Sequence, residues 1–314
     1  MKAIQVIDSK PHFLELPEPK GNNIRVKVVS ASICGSDLHV MPSGMIDGFI
    51  LGHEFAGTTP DGTAVAVEPV ISCGECSPCH DGHRVHCSQT AVIAGITGNG
   101  GMAEYVDVPA EALVILPTGL DISTASLVEP LAVAVHGIDR SAIERGDRVL
   151  VIGAGPIGLA IAAVLGAKGI AFDIIARHPH QKSIAESFGG VLTATDGYDV
   201  VIDAIGNSES LKDAVERVRP MGRVTMVGTF WLPTETPFEF CAKEVELVAS
   251  MMYNCKSPNR SFDIAAKLLF ENPYIANAMV THRFPLEASD EAFAAAADRS
   301  AGSVKVVFDV SEAV

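Results

Sequence analysis

Basic residues are in short supply: 23 Lys and Arg stand against 38 Asp and Glu, a formal charge of −15 over 314 residues. A sequence-independent grip on nucleic acid or on an anionic membrane needs clustered cations, so neither is an expected partner. An anionic cofactor stays within reach, because backbone N–H groups at a helix start can hold phosphates. Long hydrophobic runs are lacking too. The longest, Val149 to Val164, is broken by three glycines and a proline and makes a poor membrane span. The first residues, MKAIQVIDSKPHFLEL, have too few apolar positions before charge and proline intervene for a secretory leader, so a cytoplasmic location is expected. There is no internal repeat and no low-complexity segment. In that setting seven cysteines are better read as metal ligands than as disulfides.

A chain of 314 residues exceeds what one hydrophobic core usually supports, and two domains are expected. Hydrophobic residues at 48% and charged residues at 19% exclude a disordered chain. Over residues 1–125, short β-branched runs (IRVKVVSASI, TAVAVEPV, YVDVPAEALVIL) alternate with Gly, Pro and Asp, which predicts an all-β, barrel-like domain. Over 126–255 the buried-strand runs RVLVIG, AFDIIA, DVVIDAIG and RVTMVG are separated by helical stretches, including LKDAVERVRPMG. That alternation predicts an α/β domain with a doubly wound parallel sheet. Residues 256–314 supply a helix (FDIAAKLLF), an extended segment, an Ala-rich helix and a last strand, VKVVFDV, and are expected to return to the first domain.

The most specific signal is CGECSPCHDGHRVHC, in which Cys73, Cys76, Cys79 and Cys87 follow C-x2-C-x2-C-x7-C. Four thiolates on one loop can close a tetrahedral zinc site, and a closed site is structural because no position is left for substrate. Unrelated surface cysteines or an iron–sulfur cluster are the competing readings, and no further feature supports either. His80, His83 and His86 of the same loop are read as exposed polar residues. Cys241 and Cys255 are read as buried small hydrophobes.

CGSDLH (Cys34 to His39) and GHE (Gly52 to Glu54) are weak signals singly. Together with Glu129 in LVEPLAVAVHG, they offer sulfur, nitrogen and oxygen donors from separate loops, which suits a catalytic zinc with an open position.

RVLVIGAGPIGLAIA places Gly153, Gly155 and Gly158 between a strand and a helix, with Pro156 and Ile157 in the turn. A tight turn, room for a pyrophosphate and close helix packing make this a dinucleotide site. Gly206, in the turn after a later strand, is added to the cofactor contacts. An acidic residue closing the second strand would bind the ribose diol of NAD. That place holds Ala176, followed by Arg177 and His178, while Asp173 lies three residues too early, inside the strand. The arginine fork suits a 2′-phosphate, so NADP is favoured over NAD.

The order CGSDLH, GHE, four-cysteine box, LVEPLA, GAGPIG and VTHRFPLE…KVVF resembles the zinc-containing medium-chain dehydrogenases, in the branch with sorbitol, threonine and butanediol dehydrogenases. The resemblance covers essentially the whole chain. It implies a Rossmann cofactor domain beside a mostly β, GroES-like catalytic domain, two zinc ions per chain, a small alcohol or ketone as substrate, and a homodimer or homotetramer. Cys34 and His53 match the catalytic zinc ligands, with Glu54, Glu129 or both completing the set. Ser36 and His39 match the proton relay, and Glu54 also counts among the catalytic residues. Two features depart from the pattern: shortened loops after GHE and before DVVIDAIG, and Met252–Tyr253 where the sorbitol type has an Arg-Tyr pair that holds a polyol. A zinc-free quinone or enoyl reductase and a non-catalytic NADPH-binding zinc protein are the alternatives. The first lacks the ligands at Cys34, His53 and Glu129, and the second has no need of Ser36 and His39.

Overall fold

The run Ile24–Ser32 shows how the first unit is built. Val26 and Val28 are buried while Arg25 and Lys27, which alternate with them, are only partly buried, the period of a strand with one wet face. From Val29 onward every residue is buried, because here the strand is flanked on both sides. In the computed structural model, which describes residues 1–21, 23–89 and 91–311, this strand is the hub of a seven-stranded sheet. It pairs antiparallel with Glu54–Thr58, Tyr105–Val108 and the C-terminal strand Lys305–Asp309, and Val280–Phe284 lies parallel beside the last. Ala64–Val67 and Leu113–Ile115 extend the other side. Ile4, Leu51, Phe55, Met102, Val306 and Phe308 fill the core beneath. The strands Val280–Phe284 and Lys305–Asp309 thus lie in the first unit.

In the second unit the apolar runs become a five-stranded parallel sheet in the order Phe172–Ile175, Val149–Ile152, Tyr198–Asp203, Val218–Met226, Glu246–Ala249. The first strand in sequence lies between the second and the third. Strand order therefore reverses there, and ligands of doubly wound sheets bind at such a switch. The helix following the glycine turn, Pro156–Ala167, is apolar all round, and Gly158 to Leu165 are buried without interruption. The helical stretch expected through Gly222 is shorter: Ser208–Arg217 is helix and Val218–Met226 is strand. Pro220 has no N–H for a helical bond, and the residue before a proline avoids the helical region.

The two compact units are Met1–Glu129 with Asn254–Val314, and Pro130–Tyr253. Residues 126–129, assigned on sequence to the cofactor domain, belong to the first unit, as do Asn254 and Cys255. The 3-10 turn Ile122–Leu127 is anchored there by the Ser30 hydroxyl, which donates to the Ile122 carbonyl at 2.7 Å. No helix among the described residues is long and apolar enough to cross a membrane.

Candidate active site and cofactor turn

Strand Ile24–Ser32 delivers Cys34 to the N-cap of a short helix, Gly35–Val40. His53 sits just ahead of the neighbouring strand, Glu54–Thr58, which begins with Glu54. Because Ser32 and Glu54 are register partners, the sheet brings these segments together. One ligand atom each from Cys34, His53 and Glu54 lies within 4.8 Å of the others, and His53 and Glu54 are buried. Sulfur, imidazole and carboxylate donors at this spacing fit a zinc ion.

Asp37 supports the pair. Its Oδ2 accepts the Cys34 backbone N–H at 2.9 Å, and its Oδ1 lies 3.4 Å from His53 Nδ1. Asp37 is 1% exposed, and among the described residues both of those facing atoms are buried without a hydrogen bond of good geometry. A metal-ligating imidazole is steadied by such a carboxylate at its other nitrogen. Burial disfavours a charged imidazole, but the Asp37 carboxylate and the Cys34 sulfur outweigh it and raise the His53 pKa well above the ordinary value. Sequence reasoning passed over Asp37, although its place three residues after Cys34 in CGSDLH was a capping signal.

Ser36 Oγ is 3.2 Å from His53 Nε2, on the side of the ring away from Asp37. His39, one turn further, is exposed, and its Nδ1 meets the Gly35 carbonyl at 2.7 Å. Spacing of three puts Ser36 and His39 on one helix face. Glu129 opens the helix Val128–Ser141 and is buried, but it stands outside the Cys34–His53–Glu54 cluster. Glu54 has a second partner that the sequence did not reveal. Both its carboxylate oxygens are 2.7 Å from Lys305 Nζ, and the Ser32 hydroxyl donates to one of them.

Cys73, Cys76, Cys79 and Cys87 form a second cluster, all four as free thiols. Neighbouring sulfurs are 3.3, 3.5, 3.9 and 3.9 Å apart. A zinc ion about 2.3 Å from each sulfur of a tetrahedron sets edges of about 3.8 Å, so the residues present fit the ion. The Ser88 hydroxyl and amide, with the Cys79 amide, lower the Cys76 thiol to about 5. The Cys73 amide also lowers Cys87, but burial and the facing Cys73 and Cys79 sulfurs prevail and push it up to about 11. Thiols packed this closely resist ionising together without a cation. His80, His83 and His86 are exposed, as read from the sequence, and Cys255 is buried. Cys241, expected to be buried, is exposed: the short helix Phe238–Ala242 that carries it has no buried residue.

In the second unit Gly153 follows its strand with φ +96°, in the left-handed region open to glycine. Gly155 caps the helix and Pro156 is its first residue, leaving the first-turn amides free for an anion. A Cβ on Gly158 would collide with the Gly153 carbonyl oxygen, so the helix can seat only on glycine here. Gly206, at φ +80°, lies against the backbone of Gly228. Buried Asp203 holds that turn by accepting from the Ile205 and Gly206 amides at 2.8 and 3.2 Å and from the Ser210 hydroxyl at 2.8 Å. Its pKa is raised by burial. The second strand ends at Ile175, with half-buried Ala176, exposed Arg177 and half-buried His178 after it. His178 caps the next helix, and its ring stacks on His180 at 5.6 Å. Asp173 receives a hydrogen bond from the buried Tyr198 hydroxyl at 2.5 Å. Met252 takes a left-handed backbone, φ +53°, ahead of buried Tyr253.

Residues 20–118 match the alcohol dehydrogenase GroES-like domain, and residues 122–310 match the glucose dehydrogenase C-terminus family. L-galactonate-5-dehydrogenase of Escherichia coli strain K12 is 33% identical over 311 residues, covering 89% of each chain. An alcohol dehydrogenase of Escherichia coli CFT073, solved with NADH, shares 27% identity at a TM-score of 0.86 over 98% of both chains. A zinc-binding dehydrogenase of Sinorhizobium meliloti 1021, solved with NADP, shares 26% at 0.84, again over 98% of both. The chain belongs to the zinc-containing medium-chain dehydrogenase family. It is a zinc-dependent alcohol dehydrogenase that moves a hydride reversibly between a secondary alcohol or polyol and a nicotinamide cofactor.

Proposed function

We propose that the enzyme carries two zinc ions per chain, one catalytic at Cys34, His53 and a glutamate, one structural at Cys73, Cys76, Cys79 and Cys87. The observation that carries this reading is the meeting of the Cys34, His53 and Glu54 ligand atoms within 4.8 Å, with Asp37 behind the imidazole. Glu54, Glu129 or both complete the catalytic set in this proposal: Glu54 lies in the cluster and is paired with Lys305, and Glu129 is buried at the start of the helix Val128–Ser141.

When bound, zinc supplies a Lewis acid that makes the substrate hydroxyl more acidic, and the nicotinamide supplies the hydride acceptor. Cys34 and His53 hold and orient the ion, with Asp37 keeping the His53 ring turned. Ser36 Oγ, beside His53 Nε2, would take the hydroxyl proton while giving up its own, and exposed His39 on the same helix face would pass the released proton to solvent.

NADP is the preferred cofactor in this proposal. Gly153, Gly155, Pro156, Ile157, Gly158 and Gly206 form the dinucleotide turn, and Ala176, Arg177 and His178 receive the adenosine ribose and its 2′-phosphate. The engagement of Asp173 by Tyr198 supports this, since the rival acid is already in use. The substrate is a secondary alcohol or its ketone. Sugar-derived substrates appear among the relatives, as in L-galactonate-5-dehydrogenase. Met252, standing where an arginine would hold sorbitol, argues for a less polar neighbour to the reacting carbon. We assign the protein to the cytoplasm, where seven free thiols persist, and to a homodimer or homotetramer.

Zinc content and a panel of secondary alcohols and ketones with both cofactors test the proposal. Two zincs per chain and turnover on the panel are expected. Cys34→Ser should lose turnover and one zinc while still binding NADPH; near-full activity in that variant would sink the catalytic-zinc assignment.

A further inference from the structure

Arg299 opens the short 3-10 turn Arg299–Ala301, whose backbone is held from both sides. Asp298 caps it: its Oδ1 accepts from the Ser300 amide at 3.0 Å, the Ser300 hydroxyl at 2.6 Å and the Ala301 amide at 3.3 Å. Beyond the turn the chain enters the strand Lys305–Asp309, where the Val306 carbonyl accepts the Ile33 amide at 3.0 Å. Cys34 and the helix Gly35–Val40 follow Ile33 directly. The sheet therefore sets the turn beside the start of that helix, and Arg299 Nη2 comes to 3.6 Å from where a Cβ on Gly35 would stand.

Among the described residues, that is the one contact within 4 Å that such a Cβ would make beyond its own stretch of chain. Gly35 has no left-handed φ that would call for glycine, so its missing side chain serves to leave the guanidinium uncovered. Arg299 is exposed, and among the described residues it has neither an ion pair nor a hydrogen bond. Arg25, Arg217, Arg219, Arg223, Arg260 and Arg283 each meet a carboxylate instead. With 38 acids to 23 basic residues, carboxylate partners within the chain are plentiful. A guanidinium left free beside Cys34 suits a partner that arrives with the ligand.

Adjacent Cα atoms are about 3.8 Å apart, so the guanidinium stands within about 10 Å of the Cys34 Cα. A molecule whose hydroxyl sits at the mixed site can span that gap with a chain of a few carbons. The planar arginine fork meets a carboxylate with two parallel hydrogen bonds. A formal charge of −15 repels an anion at a distance, so a local cation has to supply the attraction. We propose that Arg299 is a specificity-determining residue that binds a carboxylate carried by the alcohol substrate, a few carbons from the reacting one. This rests on the mixed site at Cys34 and His53 being the place of reaction. The charge lies away from the reacting carbon, in keeping with a less polar neighbour there.

Kinetics of the full-length holoenzyme on 3-hydroxybutanoate, 4-hydroxypentanoate and 5-hydroxyhexanoate, each against its primary amide, test it. The members of a pair share their shape and differ in charge. The wild type should favour at least one acid over its amide by about 10- to 100-fold in kcat/KM, the worth of a charge-assisted hydrogen bond. Arg299→Gln, at an exposed position that no other side chain leans on, should bring that ratio close to one, and Arg299→Lys should keep part of it. Calorimetry with the oxo acid and oxo amide of the preferred length should show the same loss of acid affinity in binding. No acid preference in the wild type, refusal of every acid included, would overturn the proposal. So would a Gln variant that loses acid and amide alike. A raised KM for the nicotinamide cofactor with the acid preference intact would hand Arg299 to the cofactor's phosphates and overturn it too. Near-full activity in Cys34→Ser would instead remove the mixed-site assignment, and this proposal with it.

Discussion

The Asp37 carboxylate reaches two of the donors proposed for the mixed site: it accepts the Cys34 amide at 2.9 Å and faces His53 Nδ1 at 3.4 Å. One side chain thereby ties the thiolate's backbone to the orientation of the imidazole. Asp37→Ala is expected to weaken zinc binding at this site by about 10- to 100-fold, the usual cost of losing such a partner. Competition with a chelator measures it. Unchanged affinity would reduce Asp37 to a helix cap.

The four-cysteine lobe is expected to depend on its metal for folding. Cys76→Ser should lower zinc content by one ion per chain and destabilise the protein by about 4 kcal/mol or more, in the range of lost metal sites. Metal analysis with thermal unfolding reads both effects. A variant with one zinc fewer and an unchanged melting curve would make the site non-structural.

Arg177→Ala addresses the cofactor. Loss of a charged hydrogen bond of about 1.5–3 kcal/mol should raise the KM for NADPH roughly 10- to 100-fold and leave NADH nearly unaffected. If both cofactors weaken equally, the preference for NADP falls and Asp173 returns as the ribose acid.

Asp203 makes stability depend on pH in a defined direction. Burial raises its pKa in the folded protein, so the folded state holds the proton more tightly than the unfolded chain. Its stabilising share is present below the ordinary carboxylate value and is lost as pH rises through the folded value. Asp203→Asn can still accept from the Ile205 and Gly206 amides through its carbonyl oxygen. Its stability relative to wild type should therefore rise from mildly acid to neutral pH, measured by urea unfolding at each. A difference that stays flat or falls would refute the sign.

Features confined to one stretch of chain were legible before the fold. The cysteine spacing and the glycine turn with its flanking strand and helix both point to their chemistry from the sequence. The misreadings involve neighbours rather than patterns. Cys241 is apolar enough for a core, but its helix buries nothing. The helix expected through Gly222 stops at Arg217, ahead of Pro220, which cannot continue it.

By itself the sequence determined which donors exist, their local spacing and the turn that meets a dinucleotide, because the covalent chain limits how far near residues can separate. Tertiary structure decided what surrounds those donors. Lys305 lies 251 residues from Glu54, and only the pairing of the last strand with Ile24–Ser32 sets its ammonium on that carboxylate. Strand register is a property of the assembled sheet, and a shift by one residue would turn Lys305 to the opposite face. What surrounds each donor was therefore a question for the fold.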